Sequence, residues 1–307
     1  MHIYWNPDYV ASQHEIETTR KSHAIVTRLS VEANPRIKIV DPMADFWVDG
    51  VTFNSCFDEV AREHIERIHT PEYIQAVETG KPGALARSQG FNWDPGIYTM
   101  ALAHTTGLIA AVHHAMSNFT RSGSLSSGLH HARPGTGSGY CTFNGLAAAA
   151  SYAISAWELK RVLVLDFDAH GGGGTDEIIA NHFPDQVVHA DLTTSPFDGY
   201  VPREGSFFKK ASPHNYLVHA EMMLNRVFSD DPFDLVIYNA GMDPINTGVS
   251  VEDIVERERM VHHYIGDTPA VFALAGGYTW GDFTMDDVVN WHLITMETWA
   301  NYGKVGA

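Results

Sequence analysis

Short, nearly continuous apolar runs alternate along this chain with longer stretches in which apolar positions recur every three to four residues. Residues 161–166 (Arg-Val-Leu-Val-Leu-Asp), 186–190, 233–238 and 270–275 are runs of the first kind, the pattern of parallel strands buried on both faces. Residues 2–5 and 37–40 are weaker candidates. Between them, residues 98–118, 144–158, 214–228, 251–265 and 286–299 read as helices, with Leu217, Ala220, Leu224 and Val227 on one face of the third. Alternation of this kind predicts an α/β fold with one open parallel sheet flanked by helices. Ligands of such sheets bind outside the carboxyl ends of the strands, so chemistry is expected just after the apolar runs. The Gly- and Ser-rich stretch 122–128 is too short to separate domains, and no repeat or low-complexity tract appears. Residues 1–307 are therefore taken as a single domain.

Composition narrows the class. At 44% hydrophobic and 19% charged residues the chain can bury a substantial core. No 18-residue apolar run predicts a membrane span, and the N-terminus lacks the basic and apolar blocks of a signal peptide. Two distant cysteines, Cys56 and Cys141, fit a reducing, cytoplasmic compartment. A net charge of −17 argues against nucleic-acid or anionic-membrane partners and is compatible with steering a cationic substrate, although solubility alone also accounts for it.

The candidate chemistry falls where the sheet predicts it. Asp168 and His170 follow the apolar run ending at Leu165, and Asp243 follows the run at 233–238. Two carboxylates and an imidazole leave a position free on a divalent ion, as a catalytic site requires. The alternative for any strand-end Asp is a cap or loop hydrogen bond. His130-His131 lies in a Gly- and Ser-rich stretch ahead of Gly135-Thr136-Gly137-Ser138-Gly139. The pairs His113-His114 and His262-His263 instead fall within amphipathic helices and read as structural. Gly171–Gly174 lacks the Gly-Lys-Ser/Thr ending of a phosphate loop and reads as tight turns permitting close backbone approach. Tyr278 follows Gly276-Gly277 after the last run, where a hydroxyl could donate to an oxyanion, though a tyrosine seen alone is more often packing.

Six ordered blocks carry a family resemblance: His69-Thr70-Pro71-Glu72-Tyr73, Leu129-His130-His131-Ala132, Ser138–Asn144, Asp166-Phe167-Asp168-Ala169-His170, Asn239–Asp243 and Ala275-Gly276-Gly277-Tyr278. With them the chain resembles the histone deacetylase family of the arginase–deacetylase superfamily, and Arg133-Pro134 looks closest to its bacterial and class II-like members, acetylpolyamine amidohydrolases included. The resemblance implies an arginase/deacetylase fold and removal of an acetyl group from an N-acyl amine, a small molecule or peptide such as acetyl-lysine or an acetylpolyamine. It implies Asp168, His170 and Asp243 as ligands of Zn2+, with Fe2+ equally acceptable to this ligand set. It makes His131 the general base and acid, His130 an electrostatic support and Tyr278 the oxyanion donor. It further implies a structural K+ held by Asp166 with backbone oxygens of Asp168 and His170, a channel lined by Gly139 and Tyr140, and Asp94 as a rim contact for the substrate. Oligomerisation stays open.

Two departures bear on this expectation. Many members carry Asp or Asn three residues after the ligand histidine as partner to the second histidine of the pair; here that position is Gly173. The N-terminal region has His14-Glu15-Ile16-Glu17 instead of a His-Pro-Glu signature. A metal-retaining binding protein with weakened catalysis is thus an alternative. An arginase-like ureohydrolase is a further one, although Gly172 stands where it would need another aspartate.

Overall fold

The computed structural model describes residues 1–301 apart from 33, 45, 49, 50, 54 and 55. In chain order the elements are β1 (His2–Tyr4), α1 (Glu17–Val31), β2 (Lys38–Val40), β3 (Phe46–Val48), β4 (Val51–Phe53), α2 (Phe57–Ile68), α3 (Pro71–Thr79), α4 (Gly83–Ala86), α5 (Gly96–Asn118) and β5 (Arg121–Ser124). There follow α6 (Gly145–Trp157), β6 (Val162–Asp166), α7 (Gly173–His182), β7 (Val187–Thr193), β8 (Phe207–Lys210), α8 (Tyr216–Val227), β9 (Leu235–Gly241), α9 (Val251–Ile265), β10 (Ala270–Ala275) and α10 (Met285–Asn301). Two short 3-10 turns, Pro7–Val10 and Pro213–Asn215, complete the set.

Eight strands form one parallel sheet in the order β2-β1-β5-β10-β9-β6-β7-β8, and β3 pairs with β4 as an antiparallel hairpin. The continuous apolar runs divide their side chains between the faces with period two. From β6, β9 and β10, Leu163, Leu165, Val236, Tyr238, Phe272 and Leu274 pack on one side with residues of α1, α8, α9 and α10. Val162, Val164, Leu235, Ile237, Val271 and Ala273 pack on the other with residues of α2, α5, α6 and α7. Full burial of each large apolar side chain contributes about 1.5–3 kcal/mol, so both faces drive the layering.

The Gly- and Ser-rich stretch, where the apolar pattern marks no strand, opens on one: Arg121–Ser124 is β5, an inner strand between β1 and β10. It has no apolar side chain because its neighbours leave no room for one. A Cβ on Gly123 would lie 2.3 Å from the Phe272 ring. Ser122 donates to the Ala111 carbonyl of α5, and Ser124 shares a 2.8 Å hydrogen bond with the buried Tyr9 hydroxyl. This strand delivers the chain to the histidine pair.

Candidate metal centre and histidine pair

Four adjacent strands, β5, β10, β9 and β6, release the expected site residues from one end of the sheet, and β7 beside them adds two more. His130 and His131 follow β5, Tyr278 follows β10, Asp243 follows β9, and Asp168 and His170 follow β6. A narrow cavity of about 20 Å³ lies among His130, His131, Gly139, Asp168, His170 and Tyr278, roughly the volume of one water-sized sphere.

Asp168, His170 and Asp243 present ligand atoms that all lie within 4.8 Å of one another. Nδ1 of His170 is 3.2 Å from Asp168 Oδ1 and 3.0 Å from Asp243 Oδ2. Other lone pairs are spent on positioning: Asp243 Oδ1 accepts from the Ala169 amide at 2.8 Å, and Asp168 Oδ1 from the His170 amide at 2.9 Å. Asp243 Oδ2, fully enclosed, accepts no hydrogen bond of acceptable geometry. An imidazole and two buried carboxylates converging with an acceptor left over fit a divalent cation of the zinc type. Burial opposes charge on His170, yet Asp168 and Asp243 hold its proton so strongly that its pKa is pushed up to about 11. Asp243 is raised by burial and by Asp168, whereas Asp168, against its burial, is held well below the carboxylate range by His130 and His170. The pocket therefore demands positive charge.

The two histidines lie ring to ring at 3.9 Å and differ in what they face. Nδ1 of His130 is 2.8 Å from Asp166 Oδ2. Asp166 Oδ1 accepts in turn from Asn239 Nδ2 at 2.8 Å and the Asp168 amide at 3.1 Å. Burial works against charge on His130, but Asp166 and Asp168 prevail and raise its pKa to about 10. His131 is lowered to about 4 by burial and by the charge on His130, despite a 2.8 Å contact between its Nδ1 and Asp198 Oδ2. At neutral pH the pair is thus one imidazolium and one free base.

Asp198 was not legible in the sequence, and it occupies the place left by Gly173. A Cβ on Gly173 would come within 2.6 Å of Asp198 Oδ1 and 2.9 Å of Arg133 Nη2. Arg133 donates to Asp198 Oδ1 and also pairs with Glu177, so the carboxylate is fixed on both oxygens. The partner of His131 that Gly173 left open is Asp198, which arrives from the loop after β7. Phe197, the neighbour of Asp198, sets its ring edge-on to His131 at 5.0 Å and to His170 at 5.7 Å. The backbone of the pair is held by Asn144, whose side-chain amide donates to the carbonyls of His130 and Ala132 while its oxygen caps α6 at the Ala147 amide. His69 Nε2 supports Asn144 by accepting from its main-chain N–H at 2.9 Å.

Gly139, at φ +51°, lies so close to His131 that a Cβ would be 2.3 Å from its Cδ2. Tyr140 is partly exposed and stacks on Phe91 with ring centroids 5.2 Å apart. Tyr278 stacks on the exposed Trp280 at 4.3 Å. Its main chain is gripped at both ends by Asn246, which accepts from the Tyr278 amide at 3.0 Å and donates to its carbonyl at 2.8 Å. Burial, then Asp243 and Asp168, push its phenol well above the ordinary range, so it keeps its proton. Asp94 is 7% exposed and spends its oxygens on Ser12 Oγ (3.0 Å), the Gln13 amide (3.2 Å) and the Gly96 amide (2.8 Å), which joins the N-terminal segment to the start of α5.

A parallel α/β sheet with an Asp-His-Asp ligand set beside a carboxylate-paired histidine couple defines a class of metal-site protein. The family model described as histone deacetylase domain matches residues 30–292, and the chain belongs to that family. Among curated proteins it is 28% identical over 244 residues to an uncharacterized protein of Picosynechococcus, covering 71% of this chain and 76% of that one. It is 26% identical over 214 residues to the acetoin utilization protein AcuC of Bacillus subtilis, and 25% identical over 214 residues to AcuC of Staphylococcus xylosus. Each AcuC match covers 66% of this chain and 54% of the relative, so the chain spans about half the length of those proteins. Among the described residues no helix is long and apolar enough to cross a membrane.

Proposed function

We propose that this protein is a metal-dependent amidohydrolase that removes an acyl group, acetyl foremost, from an amine such as acetyl-lysine or an acetylpolyamine. The observation that carries the reading is the convergence of Asp168, His170 and Asp243 with a charged and a neutral histidine around one cavity. Asp168, His170 and Asp243 would hold the ion, zinc or iron, whose chemistry is Lewis-acid polarisation of the amide carbonyl and of a water molecule.

The chain's own side chains supply the rest. His131 turns Nδ1 to Asp198, which leaves Nε2 as the base that takes a proton from the attacking water and returns it to the departing amine. Amines leave poorly unless protonated, and imidazole is suited to both transfers. His130, kept cationic by Asp166, favours negative charge developing on the carbonyl oxygen. Tyr278, still protonated, donates its hydroxyl to that oxygen. Gly139 brings the wall against His131, and Tyr140 and Phe197 offer aromatic surface to an extended acyl-amine chain. The backbone oxygens of Asp168 and His170 with Asp166 would take a potassium ion. The net charge of −17 favours a cationic amine. A single catalytic domain and a cytoplasmic place belong to the same reading.

The reading as a catalytically weakened binding protein rested on a bare Gly173, and Asp198 speaks against it. The test is acetate release from acetyl-lysine peptides, acetylpolyamines and small acetylated metabolites by zinc- or iron-loaded protein. Hydrolysis of at least one class is expected. No turnover of any N-acyl amine by either loaded form would sink the proposal.

A further inference from the structure

The buried stripe of α9 runs Ile254, Arg257, Glu258, Val261 and Ile265, so an arginine and a glutamate stand where helical spacing calls for apolar side chains. Both are wholly inaccessible to solvent. Taking two charges out of water is costly, and an apolar pair of similar volume often holds a fold as well or better. An ion pair kept at such a place calls for a use beyond stability.

The hydrogen bonds of Arg257 show what it holds. Nε and Nη2 donate to Glu258 Oε1 at 3.0 and 2.7 Å, and the same oxygen accepts from the Tyr238 hydroxyl at 2.6 Å. Nη1 serves the main chain. It lies 2.7 Å from the Gly241 carbonyl oxygen and 3.3 Å from that of Phe167. The Tyr216 hydroxyl, 3.1 Å from Nη1, donates to the Phe167 oxygen as well, at 3.4 Å.

These carbonyls belong to the strand ends that carry the candidate metal ligands. Phe167 immediately precedes Asp168 after β6, and Gly241 closes β9 two residues before Asp243. The two segments touch backbone to backbone: a Cβ on Gly241 would lie 2.3 Å from Asp168 Cα and 2.7 Å from the Phe167 carbonyl oxygen. Pairing between β6 and β9 ends at Asp166 and Asn239, with the Phe167 amide donating to the Asn239 carbonyl at 3.2 Å. Beyond that point one guanidinium nitrogen bridges both chains. Its planar fork, anchored on Glu258, fixes where that nitrogen sits, as the flexible ammonium of lysine would not.

We propose that Arg257 is a positioning residue of the metal centre: by bridging the Phe167 and Gly241 carbonyls it sets the spacing of Asp168 and Asp243, and with it the affinity and geometry of the ion they hold. The inference rests on the reading of Asp168, His170 and Asp243 as metal ligands, but on no particular reaction or substrate. Glu258 acts one step further back, by holding the guanidinium in place.

The experiment titrates metal-stripped, full-length protein with Co2+, reading its absorption spectrum, and measures the zinc Kd by competition with a chelator. Wild type is expected to bind one ion that Asp168→Asn abolishes. Arg257→Lys keeps the charge beside Glu258 but loses the fork. It is expected to weaken zinc about 10–100-fold, the range for groups that orient metal ligands, and to alter the cobalt spectrum. The double variant Arg257→Met/Glu258→Leu leaves no buried charge unpaired, so it keeps the test open if Arg257→Lys fails to fold. Its melting temperature without metal should match or exceed that of wild type, while zinc weakens in the same range. A folded variant with the Kd and cobalt spectrum of wild type overturns the positioning role and leaves the metal centre standing. Wild type that binds neither ion, or binds one that Asp168→Asn does not remove, overturns the metal reading and this inference with it.

Discussion

His130 and His131 are adjacent in sequence and 3.9 Å apart as rings, yet each takes its carboxylate from a different level of the fold. Asp166 is the last residue of β6, inside the sheet, with its oxygens hydrogen-bonded to His130, Asn239 and the Asp168 amide. Asp198 sits on the loop after β7 and is shared between His131 and Arg133. The inner carboxylate faces a second one, Asp168, so His130 is held as a cation; the outer one is half neutralised by Arg133, so burial and the charge on His130 keep His131 neutral. Two like residues are thus driven to opposite protonation states by their surroundings, which is how one site comes to hold both a fixed charge and a base.

The comparison can be broken at several points. Removing the base outright is expected to do most: His131→Ala should lower the rate of acetate release about 10²–10⁴-fold, the range of general acid–base catalysis. Metal content by elemental analysis should not change. A variant that keeps most of its turnover removes His131 from the proton transfers. Next comes Tyr278→Phe, expected to cost about 10²–10³ in kcat as the loss of one oxyanion donor. Its melting temperature should hold, because Asn246 grips the main chain and not the ring. Asn246→Ala probes that grip. Two hydrogen bonds of about 1 kcal/mol each are lost, so a fall in kcat of up to roughly thirtyfold is expected, with KM little altered. Unchanged kinetics would show that Trp280 stacking alone positions Tyr278.

The smallest effect concerns stability. Burial lowers His64, His69 and His104 to about 4. Between that value and the unfolded value near 6.5 the unfolded chain binds more protons, so stability rises with pH across this window and falls as pH drops through it. Denaturant midpoints should be lower at pH 5 than at pH 7, and equal midpoints would contradict neutral burial of these rings.

The sheet and the metal ligands could be read from the chain because their signals are local. Continuous apolar runs marked β6, β7, β9 and β10, and Asp-x-Asp-x-His places Asp166, Asp168 and His170 within five residues of one strand end. β5 could not be read, since small hydroxyl side chains bonded to α5 and Tyr9 carry no hydrophobic period. α1 buries Thr18, Thr19, Lys21 and Ser22, and α7 opens on two glycines, so neither shows a clean apolar stripe. α2 did carry one, at Ala61, Ile65 and Ile68, and went unread. Asp198 lies 67 residues from His131, and only the parallel sheet, which releases the segments after β5 and β7 at the same end, brings their loops together. The one signal available was Gly173 itself: a missing side chain within the motif after His170 leaves a space that another must fill. The hydrogen bonds of Asp94 were not legible either, because a carboxylate beside Pro95 looks the same in sequence whether it faces solvent or closes a loop.

The central claim is that Asp198 supplies His131 with the orienting partner that Gly173 cannot. The most direct measurement is the kcat of Asp198→Asn beside wild type, at equal zinc content, on whichever acetylated amine proves to be the better substrate. Loss of such an orienting partner is expected to cost about 10–100-fold. A kcat equal to that of wild type would contradict the account.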